Sequence, residues 1–334
     1  MKKLFAWFIL FCVALAAWLI FSLAVAPGSA TQQYVTLKPH TTTRQIAAEL
    51  EHAGAIRSAN AFLLYHYTLG RRTLKAGEYD FSKPVNTIAA YDRIARGEVA
   101  SRGVVIPEGF NMFDVANALD QAGVCKKADF LDYVRTDVSL IADLDPEART
   151  LEGYLFPDTY NFGASDTPHN IAATMVKRFR QEAAKIGLTD NIHRTVTMAS
   201  IVEKETRLDS ERPLVAGVFE NRLTQHIVLA TDPAVIYASL LRGKFDGTIR
   251  QSDLQLDSPY NTYKYAGLPP GPIANPGITA LQAAMHPTQT DYLYFVANNA
   301  GGHNFARTME EHNRNVAEYR KGHVTGPAVN GVKH

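Results

Sequence analysis

Met198-Ala199-Ser200-Ile201-Val202-Glu203-Lys204-Glu205-Thr206 reads as the end of an apolar helix that carries two carboxylates into the middle of a chain otherwise poor in clustered acids. On a helix, neighbours lie three, four and seven residues apart, so Glu203 lies over Val196, Ala199 and Ser200, and Glu205 over Met198, Ile201 and Val202. Both acids therefore face apolar ground. A carboxyl on such ground loses hydration of its charged form, its pKa rises, and it stays protonated nearer neutral pH. Such a group donates to a leaving oxygen, the step that glycosidic cleavage requires. The plainer alternative is that one of the two pairs with Arg207 or Lys204 and finishes the helix. Spacing alone does not choose.

Around this stretch the chain has 334 residues, 46% of them hydrophobic, which is enough for more than one domain. Lys+Arg at 34 against Asp+Glu at 33 leaves no basic surplus, and no basic run interleaved with aromatics goes beyond Arg71-Arg72, which argues against nucleic acid as a partner. Cys12 and Cys125 are too far apart in context to suggest a disulfide, and no Cys/His cluster has metal-ligand spacing. No metal and no cofactor are expected.

Met1-Lys2-Lys3 precedes an apolar run from Leu4 to Ala26, close to the ~20 residues that cross a bilayer as a helix. Pro27 after Ala24-Val25-Ala26 disfavours signal cleavage, so an uncleaved anchor is expected, with residues 1–3 in the cytoplasm. The rest then lies on the far side of the cytoplasmic membrane, joined by a linker at 27–33. Next comes an internal repeat. Val35-Thr36-Leu37-Lys38-Pro39, Ile46 to Leu50 and Ala53-Gly54-Ala55 parallel Val104 to Pro107, Val115 to Leu119 and Ala122-Gly123-Val124. Each copy predicts a strand, a turn and an amphipathic helix closed at glycine, followed by a second helix. Residues 34–102 thus form a β-α-α-β unit like a LysM module, a shape associated with N-acetylglucosamine polymers, and 103–150 a second, repeat-like subdomain.

From Leu151 the texture becomes turn-rich. Helices are expected at about 170–185, 190–206 with Asp190 as N-cap, 212–223 and 279–285, with strands at 292–297 and around 303–307. Thr308-Met309-Glu310-Glu311 is a capping box for a last helix. Proline-rich Gly267 to Gly277 suits the wall of a cleft. The fold class expected is α+β: a transmembrane helix at 4–26, the LysM-like module, and a mixed catalytic domain at 151–322, with a disordered tail at 323–334.

Taken together, Met198 to Thr206, Val218-Phe219-Glu220-Asn221-Arg222-Leu223, Tyr260-Asn261-Thr262-Tyr263, Gly267 to Ile273 and Tyr292 to Ala297 resemble the endolytic murein transglycosylases, the YceG-like family. The resemblance runs from the anchor through the last helix. It implies that the first glutamate of Glu-Lys-Glu-Thr, Glu203, is the catalytic acid; the resemblance, not the periodicity, separates it from Glu205. It implies non-hydrolytic cleavage of the β-1,4 bond from N-acetylmuramic acid to N-acetylglucosamine, leaving a 1,6-anhydro end. Peptidoglycan strands, the membrane and peptidoglycan synthases would be the partners. Glu152, Tyr154, Asp232, Tyr260, Asn261 and Thr262 are the candidates for a sugar-binding cleft. Ala230 and Ala234 stand where relatives carry glutamine and threonine. A muramidase-type hydrolase and a non-enzymatic glycan-binding scaffold are the alternatives.

Overall fold

The apolar leader forms a single helix, α1 (Lys2–Ala24), long and apolar enough to cross a membrane. After it, in this computed structural model, short strands and helices alternate in an α+β arrangement. Residues 2–28, 31–163 and 166–324 are described; 325–334 of the expected tail lie outside them. The chain divides into two units, Met1–Gly103 with Asn161–Asp166, and Val104–Tyr160 with Thr167–His334.

In the first unit, β1 (Tyr34–Leu37) and β2 (Gly77–Asp80) pair antiparallel, Tyr34 opposite Asp80 and Leu37 opposite Gly77. Alternation turns Val35, Leu37 and Tyr79 inward, where α2 (Thr43–His52), α3 (Ala59–Tyr65) and α4 (Thr87–Arg96) add Leu50, Phe62, Tyr91 and Ile94. Thr42 and Gln45 close a capping box on α2, worth ~1 kcal/mol. α3 runs on into a π-helical turn, His66–Gly70.

This unit grips the end of α1. Arg57 donates from Nη2 to the Ala26 carbonyl (2.7 Å) and from Nε to that of Val25 (3.1 Å), with its guanidinium 4.6 Å from the centre of the Phe21 ring. Thr87 Oγ1 donates to the Ser22 carbonyl at 2.7 Å. Further on, the Thr31 and Gln32 N–H groups both reach the Ala53 carbonyl. The chain is thus held on either side of residues 27–30, at Val25 and Ala26 and at Thr31 and Gln32.

The second unit opens with the repeat's other copy: β3 (Ser101–Ile106), α5 (Met112–Gln121), α6 (Lys127–Thr136) and β4 (Asp158–Gly163), with β3 paired to β4. α5 carries its own capping box, Asn111 with Asp114. Gly54 and Gly123 follow the ends of α2 and α5 at φ of 71° and 65°, the left-handed region where glycine carries no penalty. β4 lies in a block read from the sequence only as turns and aromatics.

α7 (Pro168–Lys185), α8 (Ile192–Glu205), α9 (Arg212–Thr224), α10 (Asp232–Leu241) and α11 (Ile278–Met285) follow. α8 is buried without a break from Thr195 to Val202, because α9, α10 and α11 pack around it. That explains its apolar character on every face. Its N-cap is Asn191, at φ 49° and with no side-chain bond, not the expected Asp190. An antiparallel hairpin, β5 (Tyr294–Ala297) and β6 (His303–Ala306), leads to α12 (Met309–Val324), opened by the reciprocal Thr308 and Glu311 bonds of the expected capping box.

Candidate active site

The loops around the C-terminal end of α8 are held by one amide. Asn275, fully buried, accepts the Gly153 and Leu155 N–H groups at 2.9 Å each and donates to the Phe110 carbonyl (2.8 Å) and to Glu152 Oε1 (3.1 Å). All four hydrogen-bonding capacities of the amide are thereby used. Glu152, 1% exposed, also accepts the Met112 N–H at the start of α5 and bonds Tyr237. Burial nevertheless raises its pKa to about 8.

The two acids of Glu-Lys-Glu-Thr leave α8 on different sides. Glu203, its side chain 5% exposed, receives Arg212 Nη2 on Oε1 at 2.8 Å and the Gly277 N–H, at the N-terminus of α11, on Oε2 at 3.0 Å. Arg212 is itself 4% exposed and also bonds Thr279 Oγ1, with Asp209 at 3.3 Å and Glu108 at 3.7 Å. Burial raises the Glu203 pKa; the Gly277 N–H and Arg212 oppose it, and Glu108 and Asp209 add to it. The partner is Arg212, from the next helix, and neither Arg207 nor Lys204. Lys204 instead donates to the Gly109 carbonyl at 3.1 Å.

Glu205, half-buried, differs from Glu203 in its partners. Among the described residues no hydrogen bond or ion pair reaches its carboxyl. Burial, with the nearby charge of Asp232, raises its pKa to about 7 against the opposing pull of Arg222. Arg222 is fixed by bonds to the carbonyls of Leu293 (2.6 Å) and Leu229 (2.7 Å), so its distance from Glu205 is set by backbone. Asp232, in the first turn of α10, accepts the Tyr263 hydroxyl at 2.6 Å. Asp232 and Tyr263 line a cleft of about 580 Å³ together with Ile249 to Gln251, Leu254, Phe295 to Ala297, and His312, Val316, Tyr319 and Arg320 of α12. Aromatic faces beside acids, an amide and guanidinium groups make a surface suited to sugar rings with polar substituents.

Of the cleft residues expected from sequence, Asp232 lines this space. Tyr260 is half-buried, its ring 5.1 Å from that of Tyr237. Glu152, Tyr154, Asn261 and Thr262 are buried, and their hydrogen bonds run to protein groups. Tyr154 donates to buried Asp145, which also takes His193 Nδ1 at 2.8 Å. Asn261 donates to the Leu254 and Leu256 carbonyls and accepts the Tyr263 N–H, and Thr262 accepts the Thr231 N–H. These bonds place Tyr263 and Asp232. Ala230 adopts φ 51° with its N–H on the Thr262 carbonyl. Sequence reading overlooked Arg212, Tyr263 and the α12 wall; only Tyr263, inside the Tyr-Asn-Thr-Tyr block, left a local signal.

A YceG-like family model matches residues 35–318. The chain is 34% identical over 319 residues to the endolytic murein transglycosylase of Bacillus subtilis (strain 168), covering 88% of this chain and 87% of that one. It is 31% identical over 327 residues to the endolytic murein transglycosylase of Streptococcus pneumoniae serotype 2, covering 86% of this chain but 59% of that longer one. A solved structure of a YceG-like protein from Listeria monocytogenes superposes with a TM-score of 0.55 at 35% identity, covering 84% of this chain and 98% of that one. With the family model spanning most of its length and relatives of that identity, the chain belongs to the YceG-like family.

Proposed function

We propose that the protein is a membrane-anchored lytic transglycosylase that cuts nascent peptidoglycan strands internally and leaves 1,6-anhydro-muramyl ends. The observation that carries this reading is the placing of Glu205, which no hydrogen bond or ion pair reaches among the described residues, near Asp232 of a cleft of sugar-binding composition; burial raises its pKa to about 7. The names of the relatives support the same substrate. The β1-α2-α3-β2 order supports the LysM-like reading of residues 34–102 as a glycan-holding module, and α1 supports a single-pass anchor with both units outside the cytoplasm.

A group that is half protonated near neutral pH serves as acid first and base second. The carboxyl protonates the glycosidic oxygen as the C1–O bond breaks, and the sugar's acetamido group stabilises the electron-poor centre. The C6 hydroxyl then closes on C1 and returns its proton to the carboxylate, so no water is consumed. Substrate assistance replaces the second carboxylate of most glycosidases. The resemblance assigns this role to Glu203, but the geometry favours Glu205. Among the described residues no donor reaches Glu205, whereas Arg212 and the Gly277 N–H hold Glu203 and favour its ionised form.

Digestion of uncrosslinked strands by Glu203→Gln and Glu205→Gln, with product masses recorded, decides the matter. Loss of at least ~1,000-fold in Glu205→Gln with cleavage retained in Glu203→Gln is expected; the reverse result returns the role to Glu203. Products heavier by one water would mean a hydrolase.

A further inference from the structure

The cleft carries charge of both signs: Asp232 lines it together with apolar Phe295 and Val316 and with two exposed guanidinium groups, Arg250 and Arg320. Arg320 has no ion pair among the described residues. The Arg250 ion pair among the described residues is with Asp246 four residues earlier, both more than half exposed, at 57% and 52%. An exposed pair of that kind exchanges readily for another anion. A uniformly neutral saccharide has no use for two guanidinium groups, whereas a carboxylate is drawn to them.

We infer that Arg320, with Arg250, receives a carboxylate on the peptide appendage of the muramoyl residue, so that the preferred substrate is a strand bearing acidic stem peptides. This rests on the cleft being the glycan site.

The test is binding of fluorescent muramoyl disaccharide-peptides to the full-length protein in detergent micelles, followed by anisotropy. One ligand has free peptide carboxylates; the other has them converted to amides. The acidic ligand is expected to bind roughly two- to fivefold more tightly. The preference should shrink with added salt, vanish in Arg250→Gln/Arg320→Gln, and survive in Arg314→Gln, on the same helix but outside the cleft. Equal affinity for the two ligands in the wild type, or a preference that persists in the double variant, overturns the inference and leaves the glycan site standing. Failure to bind either ligand removes both.

Discussion

Glu203 and Glu205 share a helix turn but not an environment: burial raises the pKa of both, and only at Glu203 do an arginine and a backbone N–H in contact oppose it. The Glu205 pKa rises from 4.5 to about 7 on folding, so the protonated form is the one the fold favours. The stability attached to that form is fully present below pH 4.5 and is lost as pH rises through about 7. At about 1.4 kcal/mol per pH unit the ionised carboxyl costs up to about 3 kcal/mol. Glu205→Gln is therefore expected to be more stable than the wild type by up to that amount at pH 8 and equal to it at pH 4, measured by urea unfolding at the two pH values. Activity should fall above pH 7 as the acid form is lost. Glu203 behaves differently, because its charge is matched. Arg212→Leu strands a buried carboxylate and should cost about 3–5 kcal/mol, whereas Glu203→Gln keeps an acceptor for the Gly277 N–H and should cost less.

At the scale of elements, α9 is the helix that the site is built against: it brings Arg212 at its start and Arg222 near its end. Gly217, midway, is where intrinsic propensity misleads. Glycine to alanine in a helix ordinarily gains about 1 kcal/mol. Here a Cβ would stand 2.2 Å from the Thr288 carbonyl oxygen and 3.2 Å from Thr290 Cγ2. The backbone of that loop cannot step aside as a side-chain end would, so Gly217→Ala should instead lower stability by about 1–3 kcal/mol, seen as a drop in Tm. The helices themselves were legible in the sequence because their apolar periodicity is local, and so was the repeat, whose Ala-Gly closures recur at the ends of α2 and α5. β4 was not, since Asp158 to Gly163 lacks clean alternation and gains its ladder from β3, more than 50 residues earlier in the chain. The cleft was half legible for the same reason. Asp232 and the Tyr-Asn-Thr-Tyr block stand out by composition, but whether Asn261 meets a sugar or the Leu254 carbonyl depends on a loop conformation that no spacing encodes. Arg212 is nine residues from Glu203 across a turn, and nothing in its own neighbourhood marks it as the partner.

Over the whole chain, two β-α-α-β arrangements are strung behind one apolar helix, and the first holds that helix by its last turn. Arg57 and Thr87 provide the hold. In lipid nanodiscs a probe on the first unit should tumble with the disc, and Arg57→Ala/Thr87→Val should restore fast local motion in time-resolved anisotropy. Deleting residues 1–26 should leave cleavage of purified strands intact while weakening the effect on strand length in cells. Equal restriction of wild type and double variant would show that the hold is not what limits the motion.

Seven residues of slack chain between Pro27 and Gln33 would let a tethered body wander by roughly 15 Å. With the end of α1 clasped and Thr31 and Gln32 fastened to Ala53, that freedom is reduced. Under the proposed anchoring, the first unit works as a ruler planted on the bilayer: what it meets depends on how far the polymer has grown outward, not on how far the protein can swing.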